Sequence, residues 1–498
     1  MNNEPNQNKP LLRFLALAIA AVGMTYFAPE VFTILFFIGT LIWYLRSDDE
    51  PLWFAFFLIL IDGFCGFFGF YETTLAIVPG MPAIEVTQLY ILAAIFKASR
   101  VKDAPKVFYQ LPLAMVFIYL GFLVVQGFVL GIEPEMNVRF RVFKMAFPFL
   151  LFWALPRLLR REEDFVQCFR YLFLVAIAAF AAQVFTLVMF QTPPMFLGLE
   201  DLNGMFDADS SRDEAYRGVY NEGIVLITLF GAAYFLVRRA THFKPGYLYL
   251  ILVCNYLSIF LSATRGWILG FSLFLGLFLL IELRHDFQRI FALMALAVVL
   301  FAAVLAVPVI QAQIQKTIDR LQTLEALKEG DPTAGGTLIR LTTRSPRVMK
   351  KWAESPLTGW GFSDTFLDYR DSHVGNQNVL MHAGLIGYVV LVGFLFYFCS
   401  KLVGLSMGLP SWHPKKDALL LFGLFFLGWF LIHSTSAQFF GYHLNPVQGM
   451  IEALFFSMGA ALYRTVAQEK RHTSRVGRYL KSKVAAPPPR ASGSVAQP

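Results

Sequence analysis

Residues 246–283 read GYLYLILVCNYLSIFLSATRGWILGFSLFLGLFLLIEL. Two apolar runs, 246–263 and 266–283, meet at the short turn Ser262-Ala263-Thr264-Arg265-Gly266. Each run is close to the ~20 residues that a helix needs to cross a hydrocarbon core of ~30 Å. Both are too long and too evenly apolar for the alternating strands of a membrane barrel. The stretch predicts a helical hairpin in a bilayer, where a helix satisfies its own backbone.

Outward from this hairpin the pattern repeats. Runs of similar length lie near 11–28, 31–46, 52–69, 84–98, 108–131, 141–160, 165–190 and 219–237. Others follow near 288–310, 376–399, 417–435 and 446–463. The expected fold class is all-α, a polytopic transmembrane helical bundle of about 12–14 spans. Composition agrees, with 57% hydrophobic and 15% charged residues, 53 Phe and a mean hydropathy of +0.57. So apolar a chain of 498 residues is excluded as a soluble multidomain protein or a disordered one. The net charge of +8 does not point to nucleic acid. Lys9, Arg13, Arg46, Lys97, Arg157, Arg160, Arg238, Arg284, Lys401, Lys415 and the tail from Arg464 fall on one side when the spans alternate. The positive-inside rule then places both termini in the cytoplasm. The first run is read as a retained helix, not a cleaved signal peptide. Cys65, Cys168, Cys254 and Cys399 have no metal or disulfide spacing and read as small apolar residues.

The organisation expected is a cytoplasmic N-terminus (1–10), a first part of the bundle (11–310), a long outer loop (311–375), three last helices (376–463) and a basic tail (464–498) disordered beyond Ala485. A bundle connection does not need a loop of that length, which marks it as functional. It opens with Ile314, Ile318, Leu321, Leu324 and Leu327, the stripe of an amphipathic helix lying on the membrane face or capping the bundle.

Cations on the outer side run against the charge bias and are the informative ones. Arg265, in its hairpin, is either an arginine snorkelling to the interface or an anion clamp. Arg217 leads into a span through Asn221, where a helix N-terminus would add its dipole; the plainer alternative is a surface pair with Asp213 or Glu214. Arg139, Arg141 and Lys144 cluster at the start of another span and could equally anchor lipid headgroups. In the long loop, Trp352, Pro356, Gly359, Trp360 and Gly361 form an aromatic, turn-rich stretch. His373 follows, with Asn376 and Asn378 where the chain returns to the membrane. A loop histidine is often structural, but it is also the usual general base near neutral pH. The pair Asp207 and Asp209 lacks further spaced ligands, so no metal site is expected. Within spans, Asp62 and Arg170 are the ionisable residues read.

Taken together these features resemble the O-antigen ligase/polymerase superfamily of bacterial inner-membrane proteins. The resemblance rests on Arg217-Gly218-Val219-Tyr220-Asn221, on Ser262-Ala263-Thr264-Arg265-Gly266, and on a long outer loop with Trp352, Pro356, Gly359 and Gly361 that ends in His373, with Gly384 and Gly387 beyond. It covers residues 215–400 best, and departs at Val374, where the family usually has Asn. The resemblance implies a metal-independent, inverting glycosyltransferase without a cofactor, its catalytic region in the long periplasmic loop. The donor would be an undecaprenyl diphosphate-linked glycan, and the acceptor a lipid A core, a glycan or a protein hydroxyl, in surface polysaccharide or lipopolysaccharide biosynthesis. It implies Arg265 and Arg217 on the diphosphate and His373 as base. Arg139, Arg141, Lys144, Asn221, Trp352, Asn376 and Asn378 would contact substrate. A polymerase of the same superfamily shares the motifs. A transporter or lipid-linked oligosaccharide flippase is the alternative of another class, though no internal repeat is visible.

Overall fold

A computed structural model describes residues 8–61, 73–77, 82–133, 135–189, 222–262, 265–284, 287–326, 340–371, 374–435 and 446–484. The apolar runs become helices α1 (Asn8–Phe27), α2 (Glu30–Arg46), α3 (Glu50–Ile59), α4 (Val86–Ser99), α5 (Gln110–Leu130), α6 (Met136–Leu158), α7 (Glu162–Met189), α8 (Glu222–Val237), α9 (Pro245–Leu261), α10 (Arg265–Leu283) and α11 (Phe287–Leu305). The long loop holds α12 (Pro308–Ala326), α13 (Ser345–Ala353) and α14 (Asp364–Tyr369). The chain ends in α15 (Gly375–Met407), α16 (Lys416–Thr435) and α17 (Pro446–Val484). A two-residue hairpin, β1 (Thr74–Leu75) with β2 (Ile84–Glu85), precedes α4. Among the described residues, six stretches are long and apolar enough to cross a membrane: Lys9–Phe27, Gln110–Leu130, Glu162–Phe185, Gly266–Leu283, Gly375–Met407 and Gly449–Arg471. With the shorter apolar helices between them, they make the protein an all-α, multi-pass membrane bundle.

Interlocked phenylalanines hold the centre. Phe456 of α17 packs against Phe152 of α6 at 4.8 Å and Phe394 of α15 at 5.0 Å, while Phe455 meets Phe230 of α8 at 4.6 Å. In lipid, tight van der Waals packing of this kind is what remains to drive helix association. Glu282 and Glu452 are buried carboxylates within helices. Both fall in runs read as spans, where the sequence reading singles out only Asp62 and Arg170 as ionisable, because a window average hides a single carboxylate. Asp62 lies outside the described residues.

Ion pairs mark one end of the bundle. Arg238 after α8 meets Glu162 at the start of α7 at 2.6 Å, and Arg284 after α10 meets Asp417 of α16 at 3.1 Å. Lys97 of α4 pairs with Glu50, Arg464 of α17 donates to the Arg160 carbonyl after α6, and Lys415 pairs with Glu469. The end of α15 is tied to α16 by Ser406 Oγ donating to Lys416 O at 2.9 Å. Helices α4, α6, α8, α10 and α15 therefore all finish at this basic end. Their N-termini gather at the far end.

At that far end α15 breaks at Gly384 (φ 63°, ψ −174°). Residues 356–362 seat in the break. Leu385 N donates to Pro356 O at 2.9 Å and Ile386 N to Leu357 O at 3.1 Å; Trp360 N donates to Met381 O and Gly361 N to His382 O, both at 2.8 Å. The backbone groups freed by the break thus find partners in the inserted turn. From α5, Gln126 Nε2 donates to Gly359 O at 2.8 Å, Tyr119 OH to Ala383 O at 2.7 Å, and Leu123 O accepts from Phe362 N at 3.3 Å. Gly359 (φ 69°) and Gly384 face each other so closely that a Cβ on either would collide with the other's backbone nitrogen. Gly384→Ala should destabilise the protein by more than the ~1–2 kcal/mol of a left-handed residue, because that collision is added. Thermal unfolding in detergent checks this; an unchanged melting temperature would contradict the insertion.

Candidate active site

The far end collects what the sequence singled out. Arg265 is the first residue of α10, and Arg139 and Arg141 lie in the first turns of α6; their side chains lie outside the description. Asn376 and Asn378 sit in the first turn of α15. Arg217, Asn221 and His373, like Asp207 and Asp209, lie outside the described residues. Arg217 and Asn221 nevertheless immediately precede α8 in the chain, and His373 is one residue before Val374. Each of these helix N-termini carries unsatisfied backbone N–H groups and a partial positive charge. A helix N-terminus of this kind is a setting for an anion.

The structure fixes both sides of the gap around His373. Asp371 is ion-paired with Arg344 at 3.5 Å and with Arg347 at 3.8 Å, both from the turn that opens α13, and Arg347 also donates to Tyr369 O at 3.3 Å. Asn378, fully buried, accepts from Asp371 N at 3.0 Å and returns its amide N–H to Asp371 O. Val374 N donates to Asp371 O at 3.3 Å, and Asn378 N to Val374 O at 3.1 Å. Residues 371–378 thus form a closed brace, and the chain between Asp371 and Val374 spans only two residues. Asn378 has both ends of its amide committed to this brace. Asn376 is half-buried, and its Oδ1 is buried without a hydrogen-bond partner.

Other expected contacts are already engaged. Lys144 pairs with the buried Glu85, which also accepts from Gln88 Nε2 at 2.9 Å. Trp352 donates from Nε1 to Pro356 O at 3.1 Å, so it supports the inserted turn. Lys351 stands over the Trp360 ring at 4.4 Å and pairs with Glu354 at 2.7 Å. His382 is buried between Phe362 and Phe366, with ring centroids at 4.4 and 4.6 Å, as part of the packing around the turn. The carboxylates that could rival His373 as bases are unevenly placed. Asp364 accepts from Glu133 N, Asp371 is held by two guanidinium groups, and Asp368 is exposed. The sequence reading missed Arg344, Arg347, Gln126 and Glu85. The arginines were legible as cations in an outer loop, whereas the partners of Gln126 and Glu85 are distant in sequence.

The family model described as O-antigen ligase matches residues 248–395. The match runs from α9 to the middle of α15, so it takes in Arg265, Trp352, His373, Asn376 and Asn378. Arg139, Arg141, Lys144, Arg217 and Asn221 fall before it. No curated protein matches the chain. Over that range the chain is similar to the O-antigen ligases, in support of the superfamily resemblance. The similarity supports membrane glycan transfer of glycosyltransferase type as the class of activity, with a lipid-linked glycan and an acceptor as partners.

Asn378→Ala should open the brace and lower turnover by about 10- to 100-fold, the scale of misplacing a reacting group by an ångström. Donor binding should persist. Steady-state kinetics checks this, and unchanged turnover would show that the brace positions nothing.

Proposed function

We propose that the protein is an O-antigen ligase-like, inverting, metal-independent glycosyltransferase. It transfers a glycan from an undecaprenyl diphosphate carrier to an acceptor hydroxyl on the periplasmic face of the bacterial inner membrane. The observation that carries this reading is a conjunction within residues 248–395. The helix start bearing Arg265 and the brace around His373 stand at the same end of the bundle, inside the segment similar to O-antigen ligases.

In this reaction the acceptor oxygen forms a bond to the anomeric carbon as the bond from that carbon to the diphosphate oxygen breaks. The electron pair of the broken bond leaves with the carrier diphosphate. Arg265 and Arg217 take up that growing charge through planar, charge-assisted hydrogen bonds, and the helix N-termini add to the field. His373, neutral at the start, accepts the proton of the acceptor hydroxyl. Attack opposite the leaving group inverts the anomeric centre. Arg139 and Arg141 stand at the start of α6, where headgroup or glycan phosphates would lie. The carrier's hydrocarbon tail runs along the apolar bundle. The description of the matched family favours ligase over polymerase. A deletion strain separates the two: lipid-linked polymer with uncapped acceptor marks a ligase, single surface repeat units mark a polymerase, and unaltered glycans would remove both.

Arg265→Lys keeps the charge but loses the fork. Turnover should fall by the equivalent of ~2–4 kcal/mol of transition-state stabilisation. Full activity would leave Arg265 as an interfacial arginine. His373→Ala should lower turnover by ~100- to 10,000-fold with donor binding retained. Wild-type activity should decline as the pH falls through ~6.5, because protonation removes the base. A variant that loses donor binding but keeps turnover on bound donor would make His373 a diphosphate contact. Activity should survive chelators; its abolition would assign the charge to a metal. Phosphatase fused within 311–375 should be active and fused after residue 470 inactive, and the reverse would overturn the orientation.

A further inference from the structure

We propose that Gln313 is a positioning residue for Arg265: α12 grips the last carbonyls of α9 and so fixes where the next helix, α10, begins at Arg265. This rests on the glycan-transfer reading in taking Arg265 as the diphosphate clamp.

Polar ties climb α9 toward that turn. Asn255 Nδ2 donates to Thr228 Oγ1 of α8 at 2.9 Å. One turn on, Ser258 Oγ donates to Gln183 Oε1 of α7 at 2.5 Å, and Gln183 Nε2 donates back to Ser258 O at 3.1 Å. At the top, Gln313 Nε2 of α12 donates to Leu261 O at 2.7 Å. Thr317 Oγ1, one turn further along α12, stands 3.3 Å from Phe260 O and 2.8 Å from Gln313 O, sharing one proton between them. These carbonyls are among the last four of α9, which have no partner within their own helix. Gln313 and Thr317 are both buried, and Ile310 and Ile314 beside them pack against Leu261 and Leu187. The amphipathic helix therefore caps the bundle, and its polar buried side chains are spent on one helix end.

That helix end leads straight to Arg265. Ser262 is tied back by Oγ donating to Ile259 O at 2.6 Å, and α10 begins at Arg265 itself. Three peptide steps separate the two residues, at most ~11 Å of chain. A shift in the end of α9 is therefore passed on to the start of α10. The same long segment that opens with α12 closes with the brace around His373.

The test is Gln313→Leu, which keeps the volume and removes the donor, assayed with purified enzyme and lipid-linked donor. Turnover should fall about 10- to 100-fold. Donor KM should stay within about twofold, since the clamp acts on charge that develops in the transition state. In an Arg265→Lys background the same change should cost less than about twofold further, because the two act as one unit. Gln311→Leu, at an exposed position of α12, should retain activity. Full turnover of Gln313→Leu beside an impaired Arg265→Lys would overturn the proposal, as would losses that multiply. A fully active Arg265→Lys would instead remove the clamp reading itself. If Gln313→Leu does not accumulate, Thr317→Val carries the test: a smaller loss, about 3- to 10-fold, with the same failure to add in the Arg265→Lys background. An additive loss there would overturn the proposal.

Discussion

A helix that breaks inside a bilayer must find new partners for the backbone groups it frees, because lipid offers none. In this protein the break at Gly384 is filled by residues 356–362, which hydrogen-bond to both sides of it. The consequence reaches well beyond α15. A segment that lies outside the membrane in sequence terms becomes a structural member of the bundle, wedged between α15 and α5. The elements on either side of the turn, α13 and α14, are thereby carried onto the start of α15, where Arg344 and Arg347 reach Asp371. The setting of Asp371 beside the start of α15 thus depends on backbone hydrogen bonds at a glycine and on the side-chain ties of Arg344, Arg347 and Asn378.

The second organising feature is direction. Because α4, α6, α8, α10 and α15 run the same way, their positive ends lie at one end of the bundle, and Arg139, Arg141 and Arg265 stand in the first turns of α6 and α10 there. Cations there run against the bias that loads Lys and Arg onto the other end. The diphosphate leaving group of the proposed reaction would provide a chemical reason for that exception. Lys144 shows that position alone is not enough: its charge is answered by Glu85 within the protein.

The spans were legible in the sequence because bilayer thickness imposes a length on them, and most apolar runs carry a helix close to the expected bounds, whereas α3 ends at Ile59 and α15 and α17 run on to Met407 and Val484. The amphipathic stripe from Ile314 was legible for the same reason, since its period is that of a helix. Its partner was not, because the grip of Gln313 on Leu261 joins residues with no local signature. Gly359, Gly361 and Gly384 were visible as glycines, but that two of them touch through their backbones is a matter of tertiary approach. Asn378 was marked as a polar residue where the chain returns to the membrane. Only the fold reveals that its amide is turned back on Asp371. Glu452 and Glu282 escaped notice because a single carboxylate barely moves the average of an apolar window.

The most direct test of the account is a cryo-EM structure of the protein with undecaprenyl diphosphate bound. The account predicts the diphosphate at the far end of the bundle, within hydrogen-bond distance of the Arg265 guanidinium, with His373 facing its acceptor side. A diphosphate seated at the end marked by Arg238, Arg284 and Lys415, or one out of reach of Arg265, would contradict it.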